Sequence, residues 1–116
     1  MKSENSKDYT IHMIGNAHID PIWLWTLEEG RKEVRDTCQS ALDRMEETPT
    51  FTFTRSSASA YNWIEEDAPE LFKKIQQRVH EGRWSIVNGW WEQPDCNIPN
   101  GESFVRHSLY GKRYFR

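Results

Sequence analysis

His18 and Asp20 stand two residues apart in the run Asn16-Ala17-His18-Ile19-Asp20-Pro21-Ile22-Trp23-Leu24-Trp25. On an extended backbone, side chains two apart point the same way, so the imidazole and the carboxylate converge while Ile19 turns toward the interior. Pro21 disfavours the helical region for Asp20 and preserves that geometry. A converging imidazole and carboxylate suit a borderline divalent cation, zinc above all. Two ligands are less than a site, because a catalytic zinc takes three or more from the protein; the others must come from elsewhere. The competing reading is a hydrogen-bonded pair that orders the loop. Trp23 and Trp25 would share a face with Asp20 in an extended segment, and an indole there offers a flat surface on which a sugar ring stacks. Burial in the core is the ordinary alternative for both.

A second group of interest is Gly89-Trp90-Trp91-Glu92-Gln93-Pro94-Asp95-Cys96-Asn97. Adjacent tryptophans cannot both face a core, so Trp91 is a candidate for contact with a ligand. Glu92, Asp95 and Asn97 can hydrogen-bond hydroxyls, and Asp95 is the strongest candidate of the three. Its competing role is an Asx turn in this turn-rich stretch. His12, His80 and His107 read as surface or satisfied core histidines. Arg55-Ser56-Ser57 fits either an anion at a helix start or a helix cap. Glu65-Glu66-Asp67 reads as a solvated helix junction.

These residues need elements to hold them. Tyr9 to Gly15 is apolar and β-branched, ends in Gly15-Asn16, and predicts a buried strand. Thr26-Leu27-Glu28-Glu29 has the form of a capping box, and Leu27, Val34, Cys38, Leu42 and Met45 then draw one apolar stripe along a helix that Pro49 ends. Phe51 to Thr54 predicts a second strand, and Ser57 to Glu66 a second helix. Asp67-Ala68-Pro69-Glu70 is a further capping box opening a helix with Leu71, Ile75 and Val79 on its inner face. Gly82 sits where a left-handed C-cap belongs, Trp84 to Val87 predicts a third strand, 88–101 a loop, and Glu102 to Phe115 a last helix with Phe104, Val105 and Leu109. Alternating strands and helices imply right-handed crossovers and a parallel α/β sheet. Both candidate groups then fall at the C-terminal edge of the strands, where parallel sheets bind ligands. Three strands leave edges open, so residues 9–116 are expected to be one portion of a larger α/β domain, preceded by a polar tail at 1–8.

Composition narrows the ligand. Fifteen basic and 18 acidic residues give a formal charge of −3 and are scattered in both signs, which argues against nucleic acid or an anionic membrane as partner. Met1 to Asp8 lacks the apolar stretch of a leader, and no uncharged apolar run reaches the roughly 18 residues that span a bilayer. Cys38 and Cys96 lack CxxC spacing and read as free thiols in a reducing, cytoplasmic setting.

The Asn16–Trp25 segment resembles the opening motif of the family 38 α-mannosidases, in which the first strand ends in His-x-Asp-Pro followed by an aromatic residue. Thr54-Arg55-Ser56-Ser57, Trp63-Ile64-Glu65, Glu81-Gly82-Arg83-Trp84 and Gly89-Trp90-Trp91 through Pro94-Asp95-Cys96-Asn97-Ile98-Pro99 to Gly101-Glu102-Ser103 resemble later segments in the same order. Pro-Asp-Cys-Asn is similar to the bacterial and cytosolic or vacuolar branch. The resemblance implies a retaining glycosidase on a seven-stranded parallel (β/α) barrel, of which this chain holds the first three strands. It also implies zinc held by two aspartates and two histidines, a mannose-containing oligosaccharide as substrate, and a homo-oligomeric full-length enzyme. His18 and Asp20 match the first histidine and aspartate of that ligand set, Trp23 an aromatic lining the site, and Asp95 a carboxylate near sugar. The nucleophile, the acid/base and the remaining ligands are expected outside this chain, which leaves it no catalytic carboxylate and no expected turnover alone. Asn88 departs from the family, where a glycine precedes Gly89, and this is expected to shift the loop. A deacetylase-like metalloenzyme with a His-x-Asp site and a non-catalytic sugar-binding module are the competing readings.

Overall fold

The computed structural model describes residues 9–116, so the polar segment 1–8 lies outside the described residues. Chain order is β1 (Gly15–Asn16), α1 (Leu27–Glu47), β2 (Phe53–Arg55), α2 (Ala58–Asp67), α3 (Pro69–His80), β3 (Trp84–Ile86) and α4 (Gly101–Tyr114). The strands form one open parallel sheet in the order β1-β2-β3. Gly15 lies opposite Phe53 and Asn16 opposite Thr54, while Phe53, Thr54 and Arg55 face Trp84, Ser85 and Ile86.

The helix signals translate into atoms. Thr26 accepts the Glu29 N–H at 3.3 Å and the Glu29 carboxylate accepts the Thr26 N–H at 2.7 Å, completing the capping box of α1. Behind α3, Gly82 takes φ +73°. Its N–H donates to Val79 C=O and that of Arg83 to Arg78 C=O, both at 3.0 Å, the paired bonds of a Schellman ending that only a left-handed residue permits without strain. The core is sealed between α1, α2, α3 and the sheet by Val34, Cys38, Leu42, Met45, Phe53, Tyr61, Ile64, Ile75 and Trp84. Burial pushes the Cys38 thiol up to about 11, against the opposing pull of the Arg55 charge. Trp84 donates to the Tyr61 hydroxyl at 2.9 Å, and that hydroxyl donates to Arg55 C=O at 3.1 Å, so the largest core side chains have no orphaned polar atoms.

Several expectations are corrected. The first strand does not extend over Tyr9–Gly15: only Gly15 and Asn16 pair, and Tyr9, Ile11, Met13 and Ile14 are exposed. A strand needs a neighbour, and β2 runs only from Phe53 to Arg55, offering residues 9–14 no partner. Leu27 is exposed, and the inner stripe of α1 begins instead at Gly30. Asp67 does not cap α3, whose N-cap is Ala68 without a side-chain bond. The Asp67 carboxylate instead grips Arg31 through two bonds of 2.8 Å and Arg35 at 3.0 Å, and Glu66 joins Arg31 at 2.8 Å. Glu66 and Asp67 are therefore an ion-pair lock between α1 and α2, while Glu65 accepts the Tyr114 hydroxyl of α4 at 2.8 Å. Val105 and Leu109 are exposed, and α4 docks through Gly111, whose Cα lies so near the 89–90 backbone that a Cβ would stand 2.2 Å from Gly89 C=O. Among the described residues, no helix is long and apolar enough to cross a membrane.

Candidate functional site

Because the strands are parallel, the segments following β1, β2 and β3 all leave from the same edge of the sheet. The ladder between β1 and β2 ends at Asn16, and side chains extend it. Asn16 Nδ2 donates to Thr54 C=O at 2.9 Å and to Thr54 Oγ1 at 3.2 Å, and Arg55 Nη1 donates to Ala17 C=O at 3.1 Å. His18 emerges from this anchored rung. Its Nε2 lies 3.0 Å from Asp20 Oδ1, with both side chains more than half exposed. The convergence expected from their spacing is therefore present.

The arm beyond Asp20 is held by one bond within itself and one close approach to α1. Trp25 Nε1 donates to Asp20 C=O at 3.2 Å. The Pro21 carbonyl lies against the bare Cα of Gly30, where an added Cβ would come within 2.2 Å of it. A glycine inside a helix costs stability relative to alanine; here it admits a loop that no side chain would let pass. Trp23 is 66% exposed, so its indole is free to meet a ligand beside the pair.

Donor chemistry and spacing both fit half of a metal site. Tetrahedral ligands held about 2.0–2.2 Å from one zinc ion stand roughly 3.3–3.6 Å apart, so the His18 Nε2–Asp20 Oδ1 pair, at 3.0 Å, would open by a few tenths of an ångström to share one. The 3.0 Å separation itself serves a hydrogen bond within the pair. Among the described residues, no group of three or more His, Cys, Asp or Glu side chains gathers to hold an ion. His18 and Asp20 can thus contribute to a coordination sphere and cannot complete one.

Residues from three segments, namely Asn16 to Ile19, Arg55 to Ser57 and Gln93, line a small polar cavity of about 30 Å³ around the base of this arm. Gln93 Nε2 donates to Ser56 Oγ at 2.7 Å, tying the 88–101 loop to the end of β2. Neither Asp95 nor Trp91 lines this cavity. Asp95 Oδ1 accepts the Asn97 N–H at 2.7 Å and closes an Asx turn. Trp91 is half-buried, donates its N–H to His107 C=O at 2.9 Å and packs edge-on to Tyr114. A larger apolar cavity of about 340 Å³, lined by Tyr61, Phe72, Ile75, Val79, Ile86, Tyr114 and Phe115 among others, shares no residue with the polar one. It carries no comparable donor pair, so the polar edge is the candidate site.

Sequence reasoning passed over Arg55 and Gln93 as parts of this site. The available signal was a charged residue closing an otherwise apolar strand. Ser57, read as a helix cap or an anion holder, does stand at the N-cap of α2, but its backbone is left-handed (φ +73°) and its side chain makes no capping bond. Instead the first amides of α2 are taken by the 88–101 loop, with Ala58 N–H donating to Trp90 C=O at 2.9 Å and Ser59 N–H to Trp91 C=O at 3.0 Å. The tryptophan pair therefore has a structural duty through its backbone. Asn88 and Gly89 are both left-handed, at φ +73° and +67°, and asparagine is among the few side chains that accept such a backbone.

An open parallel sheet of three strands with helices between them defines a protein of the α/β class, in which the C-terminal strand edge is the usual place for a ligand. Residues 8–116 match the family described as "Glycosyl hydrolases family 38 N-terminal domain". The chain belongs to that family, and membership sets aside a deacetylase-like enzyme of another family. It is 38% identical over 112 residues to "Alpha-mannosidase G" of Dictyostelium discoideum, covering 96% of this chain and 10% of that protein. It is 36% identical over 107 residues to "Alpha-mannosidase 2C1" of Homo sapiens, covering 92% of this chain and 10% of that protein. The chain thus spans about one tenth of the length of these relatives. The crystal structure of an alpha-mannosidase from Enterococcus faecalis V583 shares the fold, with a TM-score of 0.76 at 22% identity, over 87% of this chain and 12% of that one.

Proposed function

We propose that this chain forms the first part of a metal-dependent, retaining α-mannosidase that cleaves α-mannosidic bonds in mannose-containing glycans. The observation that carries the reading is the convergence of His18 Nε2 and Asp20 Oδ1 at the strand edge of a chain whose relatives are named α-mannosidases. His18 and Asp20 hold a divalent ion, zinc by the character of the donors. Such an ion supplies a Lewis-acid hold on neighbouring hydroxyls of a sugar ring. Trp23 offers its exposed face to the ring, and Asp95 and Trp91 contribute to substrate binding once the 88–101 loop faces the remaining strands.

The open sheet is completed into a seven-stranded (β/α) barrel by further polypeptide. That segment brings the other metal ligands and two carboxyl groups about 5 Å apart, one attacking the anomeric carbon and one protonating the leaving oxygen. No residue of this chain takes either role, and the chain alone does not turn over. The enzyme works in the cytoplasm as a homo-oligomer without nucleic acid or membrane partners; two free thiols, at Cys38 and Cys96, suit that compartment.

Hydrolysis of an aryl α-mannoside tests the reading. The complete enzyme should lose activity to a chelator and regain it with zinc, Asp20→Ala should not be rescued by zinc, and residues 1–116 alone should give no product. Full activity under chelation, or turnover by the isolated chain, would overturn it.

A further inference from the structure

Arg55 is 5% exposed, and among the described residues no carboxylate lies within ion-pair distance of it. Its Nε is buried without a partner. A desolvated cation without a counter-charge is costly, and an apolar side chain of similar length would fill the space at less expense. The contact that sets Arg55 apart is the bond from Nη1 to Ala17 C=O at 3.1 Å. Backbone pairing between β1 and β2 stops one residue earlier, at Asn16 and Thr54, so the guanidinium supplies the next rung. Ala17 C=O belongs to the peptide unit joining Ala17 to His18, and because that unit is planar, holding its oxygen fixes the direction in which His18 leaves the sheet.

The other end of the tether is rigid. Arg55 C=O accepts the Tyr61 hydroxyl and the Val87 N–H, each at 3.1 Å, and Tyr61 is 1% exposed beneath Trp84. The exposed imidazole is thereby referenced to the core through one side chain. We propose that Arg55 is a positioning residue for the metal-binding arm, holding His18 in the orientation in which it meets a divalent ion. This rests on the reading of His18 as a ligand. The bond to Ala17 comes from Nη1 alone, so a single N–H donor of similar reach does the same work.

Electrostatics makes the test two-signed. Removing a nearby positive charge would by itself raise affinity for a cation, so a fall in affinity reports lost positioning. Co²⁺ titration of the complete enzyme, followed by visible absorption, compares the parent with His18→Ala, Arg55→Met and Arg55→Lys, with circular dichroism to show folding. Arg55→Met should bind Co²⁺ about 10–100-fold more weakly, the usual effect of losing a group that orients a ligand, and Arg55→Lys should recover the parent affinity and spectrum. A folded Arg55→Met protein with unchanged or tighter binding overturns the proposal. Should Arg55→Met fail to fold, the lysine variant decides: parent-like binding supports the assignment and clearly weaker binding refutes it. If His18→Ala leaves Co²⁺ binding intact, the ligand reading itself has failed; if it abolishes binding while Arg55→Met does not, only the positioning role has failed.

Discussion

Gly30→Ala sets two effects of opposite sign against each other. Inside a helix, alanine is better than glycine by about 1 kcal/mol, so at an ordinary position of α1 the change would stabilise the protein. Here the new Cβ would stand 2.2 Å from the Pro21 carbonyl oxygen, against the 3.0 Å below which real Cβ contacts essentially never fall. The Pro21 peptide must then retreat by about 0.8 Å or α1 must tilt, and overpacking of this kind costs about 1–3 kcal/mol. The clash exceeds the propensity gain. Pro21 follows Asp20 directly, and Trp25, whose indole N–H holds Asp20 C=O at 3.2 Å, also stands 3.4 Å from that Cβ. Metal ligation tolerates displacements of only about 0.2 Å, so the variant should melt below the parent and bind Co²⁺ about 10–100-fold more weakly. Thermal melting and Co²⁺ titration measure the two. A raised melting temperature with parent-like Co²⁺ affinity would refute the reasoning, because it would mean that helix propensity, not the approach of the loop, governs Gly30.

Asp67→Asn should cost about 1–2 kcal/mol, since Asp67 is shared by Arg31 and Arg35 in a partly shielded site. The Arg31 hydrogen bonds hold the Asp67 carboxyl below its ordinary value of 3.8, so this stabilisation is complete above that pH and is lost as pH falls through the lower folded value. The difference between parent and variant in urea melts should therefore vanish in strong acid; a difference independent of pH would assign the effect to packing. Tyr61→Phe leaves the Trp84 indole N–H without its partner and should cost about 1–3 kcal/mol in the same assay, whereas an unchanged midpoint would show that the relay carries no stability. Gly111→Ala places a Cβ 2.2 Å from Gly89 C=O and 2.6 Å from the Trp90 carbonyl carbon. It should loosen α4, read as faster amide exchange at Trp91, whose N–H donates to His107 C=O; unaltered exchange would contradict the close docking.

Legibility in the sequence followed the range of the interactions. Thr26 and Glu29, or Gly82 with its neighbours, make bonds within a few residues, so their residue types announce the helix ends. His18 and Asp20 were readable for the same reason, since a two-residue spacing and a following proline decide where both side chains point. Residues 9–14 looked like a strand because apolar and β-branched residues describe the strand and not its partner; β2 reaches only as far as Gly15. Gly30 carries no local sign that Pro21 passes over it, and Asp67 shows a capping pattern whose carboxylate a distant Arg31 claims. Arg55 was opaque for a similar reason, as its role depends on a carbonyl 38 residues earlier.

The proposed function turns on whether His18 and Asp20 share an ion. An anomalous difference map at the zinc absorption edge, from crystals of the complete enzyme grown with zinc, addresses this directly. A peak is expected about 2.0–2.2 Å from both His18 Nε2 and Asp20 Oδ1; zinc bound elsewhere, with the two side chains joined only to each other, would contradict the proposed function.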